Sequence, residues 1–191
     1  MPKKLFISHY SRDKALAAIL SEAIFRISHQ RILCWTYLDG EAGNKWEEEI
    51  KSQLFSSHAM IVLITPQNMD NWWIGIEIGI ALGLNKPIIP VYLHVKQEEI
   101  REPLKSYTCY PLHDYPSCIK FISKLFGLFR INYDAGMEFL LQRMMMDLLS
   151  AAQFDGQDCC RVQPDIDQVI KDIKDRLDGL ANDLRYNGQP G

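Results

Sequence analysis

The chain has 191 residues, enough for one domain with some to spare but short for two. Hydrophobic residues make up 47% and charged residues 24%, the balance of a globular protein rather than a disordered or fibrous one. With 21 Lys and Arg against 24 Asp and Glu, a formal charge of −3, no basic excess exists to neutralise a phosphate backbone, so nucleic acid is not an expected partner.

Leu5-Phe6-Ile7-Ser8 is a short apolar run that breaks into polar residues at His9, and it reads as a first strand and loop. The apolar run before His9 is also too short for the core of a signal peptide. From Lys14 to Ser28, Leu16, Ile19, Leu20, Ala23, Ile24 and Ile27 follow the spacing of a helix with one buried face. Ile32 to Tyr37, rich in β-branched and aromatic residues, is a second strand, followed by a loop with Asp39-Gly40 and Gly43-Asn44. Asn44 and Glu47 have the form of a capping box, and the second helix runs to about Ser57. Met60 to Thr65 is continuously apolar, as a parallel strand covered on both faces should be. Trp72 to Leu84 is a third helix that stops at Asn85 and Pro87. The apolar stretch holding it is interrupted by charge short of the roughly 20 residues that span a bilayer, so no membrane crossing is expected. Ile88 to Leu93 is a fourth strand with Pro90 awkwardly inside it. Glu98 to Leu104 reads as a short helix, Tyr107 to Tyr110 as an edge strand and Ser117 to Phe126 as a helix.

Alternating strands and helices through about Leu128 predict a mostly parallel five-stranded sheet with helices on both faces, binding its ligand at the carboxyl ends of the strands. Beyond it, Asp134 to Ala152 is helical with no strand to follow. Phe154 to Pro164 reads as a linker, and Ile166, Ile170, Ile173, Leu177, Leu180 and Leu184 form a coiled-coil-like seam. The expected division is therefore 1–128 for the α/β domain and 129–191 for a helical extension. Five cysteines, Cys34, Cys109, Cys118, Cys159 and Cys160, without C-x-x-C spacing, read as reduced thiols rather than a disulfide framework or zinc site, consistent with a cytoplasmic location.

The glycine-rich phosphate signatures of doubly wound folds are missing, so the chemistry must lie elsewhere. Glu77 is the only charge among the thirteen residues from Trp72 to Leu84. An unpaired buried carboxylate costs several kcal/mol, which calls for a reason. Either it caps a backbone group or pairs with a base, or it does chemistry. Trp73, four residues earlier, shares its helix face. Gly75, Gly79 and Gly83 read as a close packing face rather than a phosphate loop.

Three segments then resemble the boxes of Toll/interleukin-1 receptor (TIR) domains. Leu5 to Asp13 is similar to the F-I-S-[HY]-x-x-x-D opening, Asp39 to Trp46 to the loop after the second strand, and Asn71 to Glu77 to the S-x-W-x-x-x-E box, with Asn71 where the family often has serine. They occur in the family's order, over about Lys3 to Leu128. The resemblance implies a flavodoxin-like TIR fold and, in enzymatic members, cleavage of the nicotinamide–ribose bond of NAD by the glutamate of the third box, here Glu77. NAD is then a substrate, with no cofactor and no metal. Nicotinamide leaves neutral from a cationic linkage, so one carboxylate stabilising the oxocarbenium-like ribose suffices where ordinary glycosidases need two.

On that reading Trp73 is either an aromatic wall for the substrate or a core tryptophan. Ser8, His9 and Arg12 lie in the loop beside it, with Arg12 the candidate for the diphosphate against a plain surface arginine. His9 is a substrate contact or a local hydrogen-bonding residue. Asp39 contacts a ribose or forms its turn, and Asn71 supplies polar contact in place of serine. Kinship with standalone bacterial members further implies a homo-oligomer, antiphage defence and a product, linear or cyclic, that activates a separate effector. The competing readings are a non-catalytic adaptor that self-associates through its C-terminal helices, and a nucleoside ribosyltransferase of related architecture.

Overall fold

The computed structural model describes residues 2–37, 44–69, 71–132, 134 and 136–154, with the backbone alone for 44–47 and 153–154. In chain order the elements are β1 (Lys3–Ser8), α1 (Lys14–Ile27), β2 (Ile32–Trp35), α2 (Asn44–Ser56), β3 (Ala59–Ile64), α3 (Trp72–Gly83), β4 (Ile88–Tyr92), β5 (Tyr110–Pro111), α4 (Tyr115–Phe129) and α5 (Met137–Phe154). The five strands are all parallel in the order β2-β1-β3-β4-β5, the flavodoxin-like order in which the chain reverses direction beside β1 and β3.

Strand alternation sorts the core into two layers. Leu5, Ile7, Ile61, Leu63, Ile89 and Val91 pack with α1, α4 and α5 on one face, whereas Phe6, Met60, Val62, Ile64, Ile88 and Tyr92 pack with α2 and α3 on the other. Ser8 follows Phe6 at a spacing of two, so its side chain projects from the end of β1 toward α3. That single fact of pleating brings the first and third motif boxes together.

Three expectations need correction. The expected helix over Glu98 to Leu104 is instead two 3-10 turns, Gln97–Glu99 and Leu104–Ser106. Pro103, which has no N–H and disfavours helix at the residue before it, divides the segment. The edge strand is two residues at Tyr110–Pro111 rather than a run from Tyr107. Gly75, Gly79 and Gly83 form no packing face, since a Cβ added at any of them would meet nothing within 4 Å. They lie on the exposed side of α3 with Trp72, Ile76 and Leu82.

Pro90 does sit inside β4, and the ladder explains how. Leu93 N donates to Ile64 O on the β3 side, while Tyr92 O accepts from Leu112 N on the β5 side. By alternation Pro90 turns its missing donor toward β5, whose ladder begins only opposite Val91. α3 ends as expected, with Asn85 at a left-handed φ of 52°. α5 buries Met137, Leu141, Met144 and Leu148 in the layer formed by α1 and α4. The capping-box side chains at Asn44 and Glu47, the loop with Asp39, and the seam from Ile166 to Leu184 lie outside the described residues. Among the described residues no helix is long and apolar enough to cross a membrane.

Candidate active site

Glu77 lies on the inner face of α3 at 0% exposure. Ser8 Oγ donates to its Oε2 at 2.5 Å and Trp73 Nε1 donates to its Oε1 at 3.0 Å. The two donors come from different elements, the end of β1 and the preceding turn of α3, so the carboxylate stitches the strand to the helix. Burial pushes the Glu77 carboxyl up to about 7, against the pull of the Ser8 and Trp73 hydrogen bonds, which favour the charged form. A glutamate near its pKa at neutral pH, inside a fold, is the kind of perturbed group that clusters at functional sites.

Tyr37, just past β2, closes the third side. Its hydroxyl donates to the His9 carbonyl and accepts from His9 N at 3.2 Å, and its ring stacks on the His9 imidazole at 4.5 Å between centroids and 14° between planes. The phenol is held well above its usual range by burial and then by the nearby Glu77 charge, with the Ser8 hydroxyl also within hydrogen-bonding reach. Ser8, His9, Tyr37, Trp73 and Glu77 thus form one nest at the carboxyl edge of the sheet. The sequence reading missed Tyr37; the available signal was its place at the carboxyl end of the strand neighbouring β1.

A second buried cluster braces the loops around this nest. Asp13, 1% exposed, accepts from Thr65 Oγ1 at 2.8 Å and from Asn68 Nδ2 at 3.0 Å, and Asn68 Oδ1 accepts from Thr65 N at 3.0 Å. The aspartate that ends the first motif box is therefore structural, joining the β1–α1 turn to the β3–α3 loop.

The other candidates divide. Asn71 caps α3, its Oδ1 accepting from Trp73 N at 2.9 Å, which occupies the side-chain oxygen expected to serve as a polar contact and fixes the backbone that carries Trp73. Arg12 is exposed on the 3-10 turn after β1, at the same edge of the sheet. Trp73 is half-buried, and its ring meets exposed Trp72 edge-on at 5.6 Å. Asp39 lies outside the described residues. A cavity of about 270 Å³, lined among others by Asn68, Trp72, Ile74, Ile78 and Leu104, lies on an adjoining face of α3 and does not include Glu77. In this state the nest is shut around its carboxylate. Among the described residues no group of three or more His, Cys, Asp or Glu is placed to hold a metal.

The TIR domain family model matches residues 5–123, which carry every element of the nest. The chain belongs to the TIR domain family. Among solved structures, the TIR fold of this chain is similar to the TIR domain of the Toll-related receptor TRR-2 from Hydra magnipapillata, with a TM-score of 0.52 and 21% identity over 66% of this chain and 97% of that one. A TIR-STING receptor from C. gigas in complex with 2',3'-cGAMP aligns at 0.46 and 20% identity, over 74% of this chain but 39% of that one. The TIR domains of the activated Roq1 resistosome align at 0.42 and 15% identity, over 92% of this chain and 99% of that one. At 21% identity, the likeness to the Hydra domain is one of fold. No curated protein matches the sequence at a significant level.

Proposed function

We propose that this TIR domain cleaves the nicotinamide–ribose bond of NAD, with Glu77 as the catalytic residue. The observation that carries the reading is the wholly buried Glu77 carboxylate, held between Ser8 and Trp73 at the carboxyl edge of a parallel sheet. A carboxylate in so dry a setting weakens the fold, and a single negative charge of low solvation is what a ribosyl oxocarbenium ion needs. Charge builds on the sugar as the C–N bond lengthens, and nicotinamide departs neutral without a proton from the enzyme. Ser8 and Trp73 orient the carboxylate through their hydrogen bonds, and the half-buried Trp73 indole offers a ring face to the cationic nicotinamide. Arg12 is assigned to the diphosphate and Asp39 to a ribose. Water then adds to the cation and gives up one proton to solvent, yielding ADP-ribose, or a nucleophilic atom of the ADP-ribose itself adds in its place to give a cyclic product. A homo-oligomer in antiphage defence, signalling through its nucleotide product to a separate effector, is the proposed setting.

Purified chain incubated with NAD should release free nicotinamide, and Glu77→Gln should lower the rate by about 10²–10³, the cost of removing a preorganised charge from an active site. A folded Glu77→Gln chain with wild-type turnover would refute the assignment. A non-catalytic, self-associating adaptor is the second reading, favoured by the outer face of α3, where Trp72, Ile76 and Leu82 stand exposed among glycines with no charge between them.

A further inference from the structure

Among the described residues, one buried side-chain nitrogen or oxygen lacks a hydrogen-bond partner, and it is Nε2 of His9. The ring itself is tightly fixed. Its Nδ1 lies 2.8 Å from the Tyr10 carbonyl, which can only accept, so Nδ1 carries the proton and Nε2 keeps a free lone pair. One face stacks on Tyr37, whose hydroxyl bonds both the N–H and the C=O of the same histidine. Burial holds the imidazole down at about 4, the two backbone hydrogen bonds opposing it, so the ring stays neutral and accepting at neutral pH. The ring is thus fixed by its Nδ1 contact and the Tyr37 stack, and its backbone by two bonds to the Tyr37 hydroxyl, while Nε2 is left without a partner. Buried polar atoms are otherwise paired in folded proteins, and an exception with so rigid a mount is a preformed contact.

Its place says for what. The Tyr37 phenol on which the His9 ring stacks is also beside the Ser8 hydroxyl and the Glu77 charge, so the imidazole and the carboxylate adjoin the same group. A ligand seated against Glu77 would adjoin this wall of the nest as well. We propose that His9 Nε2 accepts a hydrogen bond from the nicotinamide riboside half of the substrate, given by a ribose hydroxyl or by the carboxamide N–H. This rests on the NAD reading above and adds a substrate-binding residue that selects for a donor at that position. It also gives the histidine of the first motif box a role different from its neighbour: Ser8 serves the carboxylate, His9 the ligand.

The direct test is the imidazole ¹⁵N spectrum of the full chain carrying Glu77→Gln, so that ligand is not consumed, with NAD and with the analogue that has a carboxylate in place of the carboxamide. Free chain should show an unprotonated Nε2 without a hydrogen bond. An upfield move with both ligands identifies a hydroxyl as donor, and a move with NAD alone identifies the carboxamide; either supports the proposal. A Nε2 already hydrogen-bonded in the free chain and unmoved by ligand makes a trapped water its partner and overturns it.

In kinetics, His9→Phe should raise KM for NAD about tenfold, as one lost hydrogen bond does, with a smaller change in kcat. His9→Gln, whose amide oxygen reaches the place of Nε2, should restore most of it. Equal KM in the wild type and a folded His9→Phe chain overturns the proposal; should that variant not fold, the spectrum decides. Normal nicotinamide release with an unmoved Nε2 overturns this inference alone, whereas NAD that is neither bound nor cleaved by wild type overturns the NAD reading with it.

Discussion

An unfolded glutamate releases its proton near pH 4.5, whereas Glu77, buried with two neutral donors on its oxygens, keeps its proton to about 7. Between those values the folded chain binds more protons than the unfolded one, so stability falls as pH rises, by about 3 kcal/mol once pH exceeds 7. Glu77→Gln can keep both contacts, accepting from Trp73 and donating to Ser8 Oγ. The variant should therefore be more stable than wild type by roughly that amount at pH 8 and equal to it at pH 4, as denaturant unfolding at the two pH values will read. A residue whose removal strengthens the fold is one the fold keeps for another reason. Because the charged carboxylate is the proposed reactive form, kcat/KM should rise with pH through about 7. The limb of kcat should lie lower, because bound cationic substrate favours the carboxylate. Ser8→Ala deletes a donor to the charged form, so its kcat/KM limb should move to higher pH; an unmoved limb would show that Ser8 does not tune the acid.

α3 is the element on which these residues depend, and it is unusual in being apolar on every side while lying at the surface. Its start is fixed by the Asn71 cap, so Asn71→Ala should cost about 1 kcal/mol of unfolding free energy and loosen Trp73 as well. Gly79 has open space at its Cβ position and no left-handed backbone, so Gly79→Ala should gain about 0.5–1 kcal/mol. If the same change weakens self-association in sedimentation, the outer face of α3 is a contact surface, whichever of the two readings holds. Much of this helix was legible in the sequence: its bounds, its lone carboxylate and the neighbouring Trp73 follow from periodicity and composition. Which side its glycines faced was not, because a helix apolar all round carries no hydrophobic asymmetry to orient it. The pairing of Ser8 with Glu77, 69 residues apart, is carried by no local pattern, and Tyr37 was marked only by its place at the carboxyl end of the strand beside β1. Long-range pairing of this kind is decided by strand order and pleat, which local patterns do not encode.

At the scale of the molecule, the α/β sheet does not end its packing at α4. α5 covers α1 and α4 through Met137, Leu141, Met144 and Leu148, all almost fully buried in the first core layer. Leu148→Ala should cost about 2–5 kcal/mol, as large-to-small changes in a core do. Cutting the chain after residue 128 should lower the melting temperature sharply, which tests the proposed boundary there; an unaltered melting curve would make α5 an appendage. The sheet and α3 together hold the Glu77 carboxylate dry at the carboxyl edge of the strands. The decisive measurement for Glu77 is nicotinamide release from NAD, followed by chromatography with mass spectrometry, by the wild-type chain and by Glu77→Gln across a wide range of protein concentrations. Wild type should yield nicotinamide with ADP-ribose or its cyclic form, and the variant should release nicotinamide about 10²–10³-fold more slowly at the same stability or better. No nicotinamide from wild type at any concentration, or equal release by the two chains, would contradict the catalytic role of Glu77.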